Sequence, residues 1–346
     1  MAPEKTMPAS PTARPSRIRK RTGLKGQLDR LLATPAGNIL IAFGIIQLLC
    51  IIAGLLYPES FRYLSSSNIA IMLKAIPTLG ILALGVGLLM ISGEFDLSVG
   101  SIYAFTAVVC SMAVAAGLSA WVAAPLMIAA GAMISVANGL ISLRFALPSF
   151  IVSLGAMLFW KGMIFLVHGA QSIRFEGSEG FRNMLSGSLG PLEMPFVWFL
   201  ILTFLFHLVL RHHAFGNHIF AVGGNRDAAT ANGVNPMKVK LACFALAGAC
   251  AAFSGIISAA RVGSVTPAQG GGLELQAIAA CVIGGVALTG GRGSMIGVFL
   301  GAALIYTIQD VLLLLRAPGF YLDIFVGALI VMAAIANQLV GGRVGR

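Results

Sequence analysis

Apolar runs of roughly twenty residues, separated by short polar breaks, recur along most of the chain. They cover 38–57, 71–92, 99–117, 120–142, 150–169, 195–210, 241–260, 277–290, 295–315 and 321–339. Inside each run the apolar residues are continuous, neither alternating as in a strand nor confined to one stripe. A continuous run of about 20 residues suits a helix that crosses about 30 Å of hydrocarbon. The pattern therefore predicts an all-α membrane protein, a polytopic bundle of about ten transmembrane helices, one of them short or broken. The exception is the eighth run, AIAACVIGGVALTG. It is too short to span comfortably, and Gly284, Gly285, Gly290 and Gly291 mark it as a broken or re-entrant piece.

Composition removes the soluble alternatives. Of 346 residues, 58% are hydrophobic and 10% charged, with a mean hydropathy of +0.92. A soluble domain carries about 25% charged residues. The 42 glycines fit the same class, because small residues let helices approach where no hydrophobic effect drives them together. Cys50, Cys110, Cys243, Cys250 and Cys281 each lie inside an apolar run, and no two form a CxxC. They read as small core residues with free thiols, so no metal, disulfide framework or cofactor is expected.

A net charge of +11 would suit nucleic acid, but its placement points to a membrane surface instead. Eight of the 23 Lys and Arg fall within residues 1–30, in a segment rich in Pro, Ser and Thr. Residues 1–37 are expected to be a basic, disordered cytoplasmic tail attracted to anionic lipid. The long apolar run after it, with no small-residue cleavage site, argues against a cleavable signal peptide. The rest, 38–340, reads as one membrane domain. With residues 1–37 inside and an even number of spans, both termini are cytoplasmic. Sixteen Lys and Arg then fall inside, including Arg144, Arg226, Lys238, Lys240 and Arg292. Five fall outside: Arg62, Arg174, Arg182, Arg261 and Arg316. That asymmetry is the one expected for this orientation.

Two connections are long. Residues 170–194, expected outside, hold Glu176, Glu179 and Glu193; residues 211–240, expected inside, hold RHHAFGNHIFAVGGNRDAATANGVNPMKVK. Within the latter, Arg226 to Val234 has Asp227 near its start, alanines through the middle and Gly233 at the end, the composition of a short capped helix. Such a helix is too short to stand alone in water. It either packs on its own bundle or docks on a partner. His212, His213 and His218 read as interfacial residues.

The polar break SGEFDLSVGS (92–101) places Glu94 and Asp96 between apolar runs. In one reading it is a tight turn, with Gly93 ending a helix and Asp96 capping the next. In the other the carboxylates face a polar path, since ionisable groups at membrane depth usually mark one. The candidate pathway residues are Glu94, Phe95, Asp96, Ser98 and Gln309. The glycine-rich stretch 284–294 matches no GxxxxGK[ST] and follows no strand, so this chain is not expected to bind nucleotide. No residue set suggests an enzyme site.

Three stretches together resemble the membrane permease subunits of bacterial ABC importers for simple sugars, the ribose, xylose and arabinose branch. SGEFDLSVGS (92–101) is similar to that family's GG-I-DLSVGS signature, with Gly93-Glu94-Phe95 where GG-I is commoner. GGNRDAATANGVNPMKVK (223–240) is similar to its ATPase-docking loop, with Asp227, Ala228, Ala229 and Gly233 standing for the EAA…G pattern. ARVGSVTPAQGGGLELQAIAACVIGGVALTGGRGSMIGVFLGA (260–302) resembles its longest shared block. The resemblance covers about residues 38–340. It implies half of a dimeric pore in the bacterial inner membrane, made with a second copy or a homologue. A separate ABC ATPase would bind loop 211–240, a periplasmic substrate-binding protein would dock outside, and the cargo would be a monosaccharide or related polyol. The rival expectation is an ion-coupled secondary carrier for a small polar solute, with Glu94, Asp96 and Asp310 as coupling carboxylates. The topology predicts that a reporter fused after Arg346 is active in the cytoplasm; activity only in the outer compartment would refute it.

Overall fold

The computed structural model describes residues 35–328, 331, 332 and 335. Most of the expected tail, 1–37, and the last part of the tenth run therefore lie outside the described residues; residues 35–37 open the first helix. The helices are α1 (Pro35–Leu56), α2 (Ser66–Ile91), α3 (Val99–Ala115), α4 (Ala120–Arg144), α5 (Ser149–His168), α6 (Glu179–Ser186), α7 (Met194–His212), α8 (Ala214–Gly224), α9 (Arg226–Ala231), α10 (Pro236–Val262), α11 (Leu273–Ile283) and α12 (Met295–Leu314). A further helical stretch occupies 320–328. Four two-residue strands, β1 (Ile173–Arg174), β2 (Ser188–Leu189), β3 (Leu192–Glu193) and β4 (Ser264–Val265), form two small antiparallel pairs, β1 with β4 and β2 with β3.

Among the described residues seven helices are long and apolar enough to cross a membrane: α1, α2, α4, α5, α7, α10 and α12. α3, with 17 residues, and α11, with 11, are shorter apolar helices. The expected count of about ten is thus not reached by long helices among the described residues. The eighth run also needs correcting. Its helix begins at Leu273 and stops at Ile283, and 284–294 is loop, so the helix is shifted toward the N-terminus of 277–290. Eleven residues rise about 16 Å, half of a bilayer core.

The chain still travels the whole height of the bundle here. β4, just after α10, pairs with β1 at the end where α5 finishes. The loop after α11 meets the opposite end, where Gly291 donates its N–H to the Ile91 carbonyl at 2.8 Å. The passage 263–294 is therefore one interrupted crossing, turns in one half and α11 in the other. Irregular backbone is tolerated at such depth only where protein or a cavity surrounds it.

Burial sorts the helices. α2, α10 and α12 are largely buried, and α10 runs against α4, α2 and α3 along its length. α1, α5 and α7 expose most of their apolar residues, as faces bordering lipid or another membrane chain do. The connection 169–193 folds over one end. α6 buries Phe181 and Leu185, Trp121 meets Phe181 edge to face, and the Trp198 indole N–H reaches the Met184 carbonyl at 3.0 Å. The five cysteines are free and buried, as expected.

Candidate functional site

The break after α2 is a turn held by its own polar groups. Gly93 takes φ +86°, the left-handed conformation that stops a helix, and its N–H returns to the Met90 carbonyl at 3.0 Å. Asp96 accepts the Ser98 backbone N–H at 2.9 Å and the Ser98 hydroxyl at 2.5 Å. Its second oxygen accepts the Ser135 hydroxyl of α4 at 2.6 Å, and Asn138 of α4 donates to Ser98 Oγ at 2.8 Å. Asp96 is 1% exposed and Ser98 and Ser135 are fully buried. Burial pushes the Asp96 carboxyl above its ordinary value, against the lowering by its hydrogen bonds from Ser135 and Ser98. This network fixes where α3 begins. Phe95 adds a bond from its N–H to Ser149 Oγ at the start of α5, 3.1 Å away.

Glu94 points the other way, into an ion pair with Lys240 of α10 at 2.5 Å; the side chains are 12% and 10% exposed. Sequence reasoning counted Lys240 as a loop charge. It lies in the second turn of α10, four residues after Pro236, and α10 packs along α2 and α4. The only sequence signal was a Lys at the boundary of an apolar run, facing a carboxylate that lacked an obvious partner.

The turn is also a junction. A Cβ on Gly223, near the end of α8, would fall on the Ile91 carbonyl oxygen. A Cβ on Gly290 would lie 2.9 Å from both the Gly223 carbonyl oxygen and Gly93 Cα, and one on Gly291 would lie 2.7 Å from Gly224 Cα. Three backbones meet there: the end of α2, the end of α8 and the loop after α11. Of the broken-helix glycines, Gly290 and Gly291 serve this meeting, while Gly284 lies against Gly297 of α12. Gly285, at φ +84°, turns the chain out of α11.

α9 follows directly from this junction. Asn225 caps it, accepting the Ala228 N–H at 2.9 Å, so the cap is Asn225 rather than Asp227. Gly233, at φ +81°, ends it. Ala229 is buried, whereas Arg226, Asp227, Ala228 and Gly233 are exposed. A helix of six residues is thus anchored by one alanine and leaves its other faces to solvent.

Gln309 is not brought to this turn. It is half-buried on α12, fourteen residues or about 21 Å beyond Met295. Near it Asn68 donates to Asp310 at 2.9 Å and Gln47 to Thr307 at 3.0 Å. Among the described residues no three His, Cys, Asp or Glu are grouped to hold a metal.

The ion pair carries a prediction. Lys240→Met leaves the Glu94 carboxylate buried without its partner, which costs about 3–5 kcal/mol, whereas replacing both partners of a buried pair is often neutral. Thermal unfolding in detergent should therefore show a clear drop for Lys240→Met and recovery of most of it in the Glu94→Gln/Lys240→Met double variant. Equal drops in both would remove the pair from the stability of this turn.

Comparison with known proteins identifies the family. The family model described as "Branched-chain amino acid transport system / permease component" matches residues 68–334. The L-arabinose ABC transporter permease protein AraH of Azospirillum brasilense is 31% identical over 339 residues, 98% of this chain and 96% of that protein. The autoinducer 2 import system permease protein LsrC of Escherichia coli O9:H4 (strain HS) is 33% identical over 276 residues, 79% of this chain and 80% of that protein. No solved structure gives a significant match. With the family model covering most of its length, including the 92–101 turn, α9 and the interrupted crossing, the chain belongs to the transport-system permease component family and is a membrane permease subunit.

Proposed function

We propose that this permease forms the translocation pathway of an ATP-driven importer for a monosaccharide or related polyol. One observation carries the mechanism: the exposed α9 is continuous with a backbone junction that grips the 92–98 turn and the loop after α11. A push on α9 reaches both without passing through flexible side chains, because the contacts are backbone against backbone. The cargo class is supported by the AraH relative, an L-arabinose permease aligned over nearly the whole chain.

The parts follow from this reading. An ABC ATPase on a separate chain binds α9, with Ala229 as the seat and Asp227, Ala228 and Gly233 as the docking face. ATP binding shifts α9 and, through the Gly223 contact, the turn that holds Glu94, Phe95, Asp96 and Ser98. Glu94 and Phe95 border the pathway at its cytoplasmic end, Asp96 and Ser98 hold its wall, and Gln309 sits toward the outer end. A periplasmic substrate-binding protein docks over the folded connection 169–193. A second copy or a homologue completes the pore, and lipid surrounds the remainder. The chain makes ten crossings as a domain spanning 38–340, counting α3, the interrupted passage 263–294 and the segment from 320 onward. Both termini, including the basic tail 1–37, are in the cytoplasm, and the membrane is the bacterial inner membrane. Hydrolysis occurs on the ATPase, so this subunit is not itself an enzyme.

The carrier alternative needs carboxylates free to load and release an ion. Glu94 is paired with Lys240, Asp96 with Ser98 and Ser135, and Asp310 with Asn68, which favours the importer.

Purification of the tagged chain in mild detergent tests the reading. A soluble protein with a Walker A sequence should co-purify in stoichiometric amount, as identified by mass spectrometry. Ala229→Trp, which removes the seat of α9, should reduce its recovery and ATP-dependent uptake at least about tenfold with normal membrane insertion. A chain that purifies alone and still transports without ATP would establish the carrier instead.

A further inference from the structure

Two of the three family-like stretches meet at a place that the coupling reading leaves unused. A cavity of about 180 Å³ lies between the first turn of α3, the middle of α5 and the non-helical backbone that leads into α11. α3 supplies Gly100 and Ser101 from DLSVGS. The interrupted crossing supplies Gly270, Gly271 and Glu274, and α5 supplies Lys161.

The wall is built to a close tolerance. A Cβ at Gly100 would fall on the Glu274 carboxylate and would lie 2.6 Å from the Gly270 carbonyl oxygen. Ser101 donates its hydroxyl hydrogen to the Met157 carbonyl of α5 at 2.8 Å, which ties α5 to the rim and leaves the oxygen able to accept. Glu274 is 8% exposed and accepts the Gly272 N–H at 3.2 Å, so a carboxylate with two oxygens retains acceptor capacity. Lys161 is exposed on α5, and its ammonium makes no direct hydrogen bond or ion pair among the described residues.

Depth makes these charges informative. Lys161 lies twelve residues into α5, about 18 Å from its start in a helix of about 30 Å. Glu274 lies where the interrupted crossing resumes as helix. A lysine and a carboxylate near the middle of a membrane face a cavity or a partner rather than lipid, and discontinuous crossings are where membrane transporters place their solutes.

We propose that this cavity is the solute subsite at mid-pathway, taking a neutral polyhydroxylated solute through Glu274, Lys161 and Ser101. Solute hydroxyls donate to the Glu274 carboxylate and accept from the Lys161 ammonium, while Ser101 Oγ accepts one more. One cation and one carboxylate balance, so a neutral solute leaves the site without net charge, whereas a singly charged solute leaves one charge uncompensated at membrane depth. The volume equals about six waters at about 30 Å³ each, below the 300–1,000 Å³ of drug-sized pockets. Leu158 and Lys161 of α5, which line the cavity, are exposed. This rests on the importer reading above and adds the residues that hold its cargo.

The complex, with its ATPase and binding protein, is reconstituted in liposomes and offered radiolabelled L-arabinose, D-ribose, D-xylose, D-galactose, myo-inositol, D-glucuronate and L-leucine. A neutral polyhydroxylated member should be carried. Glu274→Gln, which keeps an acceptor for the Gly272 N–H, should lower its uptake about tenfold, as expected when a hydrogen bond to a charged group is weakened, with assembly and ATPase rate unchanged. Lys161→Cys provides a direct readout, because the five native cysteines are buried. Its labelling by a small charged thiol reagent should slow several-fold when the carried solute is present. Uptake by Glu274→Gln within twofold of the parent, or labelling that the solute does not slow, overturns the subsite. Carriage of only leucine or glucuronate, or of none of the panel, by a complex that retains its ATPase overturns the solute class alone. Absence of any ATPase would be a failure of the importer reading and would show at purification, before any solute is added.

Discussion

Hydrocarbon offers no hydrogen-bond partner to a backbone N–H or carbonyl, so non-helical chain inside a membrane bundle must be enclosed and satisfied by protein. The passage 263–294 meets that constraint, and the rest of the structure is arranged around it. Its groups close on themselves in short turns, with Gly271 N–H to the Ala268 carbonyl, Val286 N–H to Cys281 and Ala287 N–H to Arg292. At one end β4 borrows pairing from β1, and at the other Gly291 donates to Ile91. The buried helices α2 and α12 and the first turn of α3 pack on it, and α5 faces its non-helical half across a cavity. Small residues permit that enclosure: Gly284 against Gly297, Gly301 against the Ala280 carbonyl, and Gly100 against Gly270.

The same enclosure decides where charge can stand. With the interrupted crossing filling the centre, Glu94 has α10 beside it and finds Lys240 there. Asp96 has α4 beside it and finds Ser135 and, through Ser98, Asn138. These groups hold the turn in one geometry. Lys161 and Glu274, which border open volume instead, are the pair left with capacity for a solute. Two carboxylates two residues apart thus have different surroundings, and a third, 180 residues later, shares a cavity with DLSVGS.

A motion delivered at α9 has a short route inward. Ala229 seats the helix, Asn225 caps it, and Gly223, two residues before that cap and three before α9, lies against Ile91 and Gly290. Backbone contacts at glycines do not yield by side-chain rotation, so a displacement of α8 and α9 is passed on to the turn rather than absorbed.

The apolar runs alone were enough to locate α1, α2, α4, α5, α7, α10 and α12, because length and continuous hydrophobicity are local properties that hydrocarbon rewards directly. The C′ glycine of α2 and the short helix ended by Gly233 were legible for the same reason, since both rest on neighbouring residues. The boundary of the eighth run was not. Its apolar residues continue to Leu288, but Gly284 and Gly285 break the helix where α12 and α2 approach, and hydropathy does not register that approach. Asp96 as a pure cap and Glu94 as an unpaired carboxylate could be imagined from sequence, yet Ser135 is 39 positions from Asp96 and Lys240 is 146 from Glu94. Which polar groups meet across such separations is set by the order in which helices pack, a non-local quantity. The residues of this chain therefore determined that it spans a membrane and where most of its helices run, and only the tertiary structure decided which charges are paired within it and which face open space.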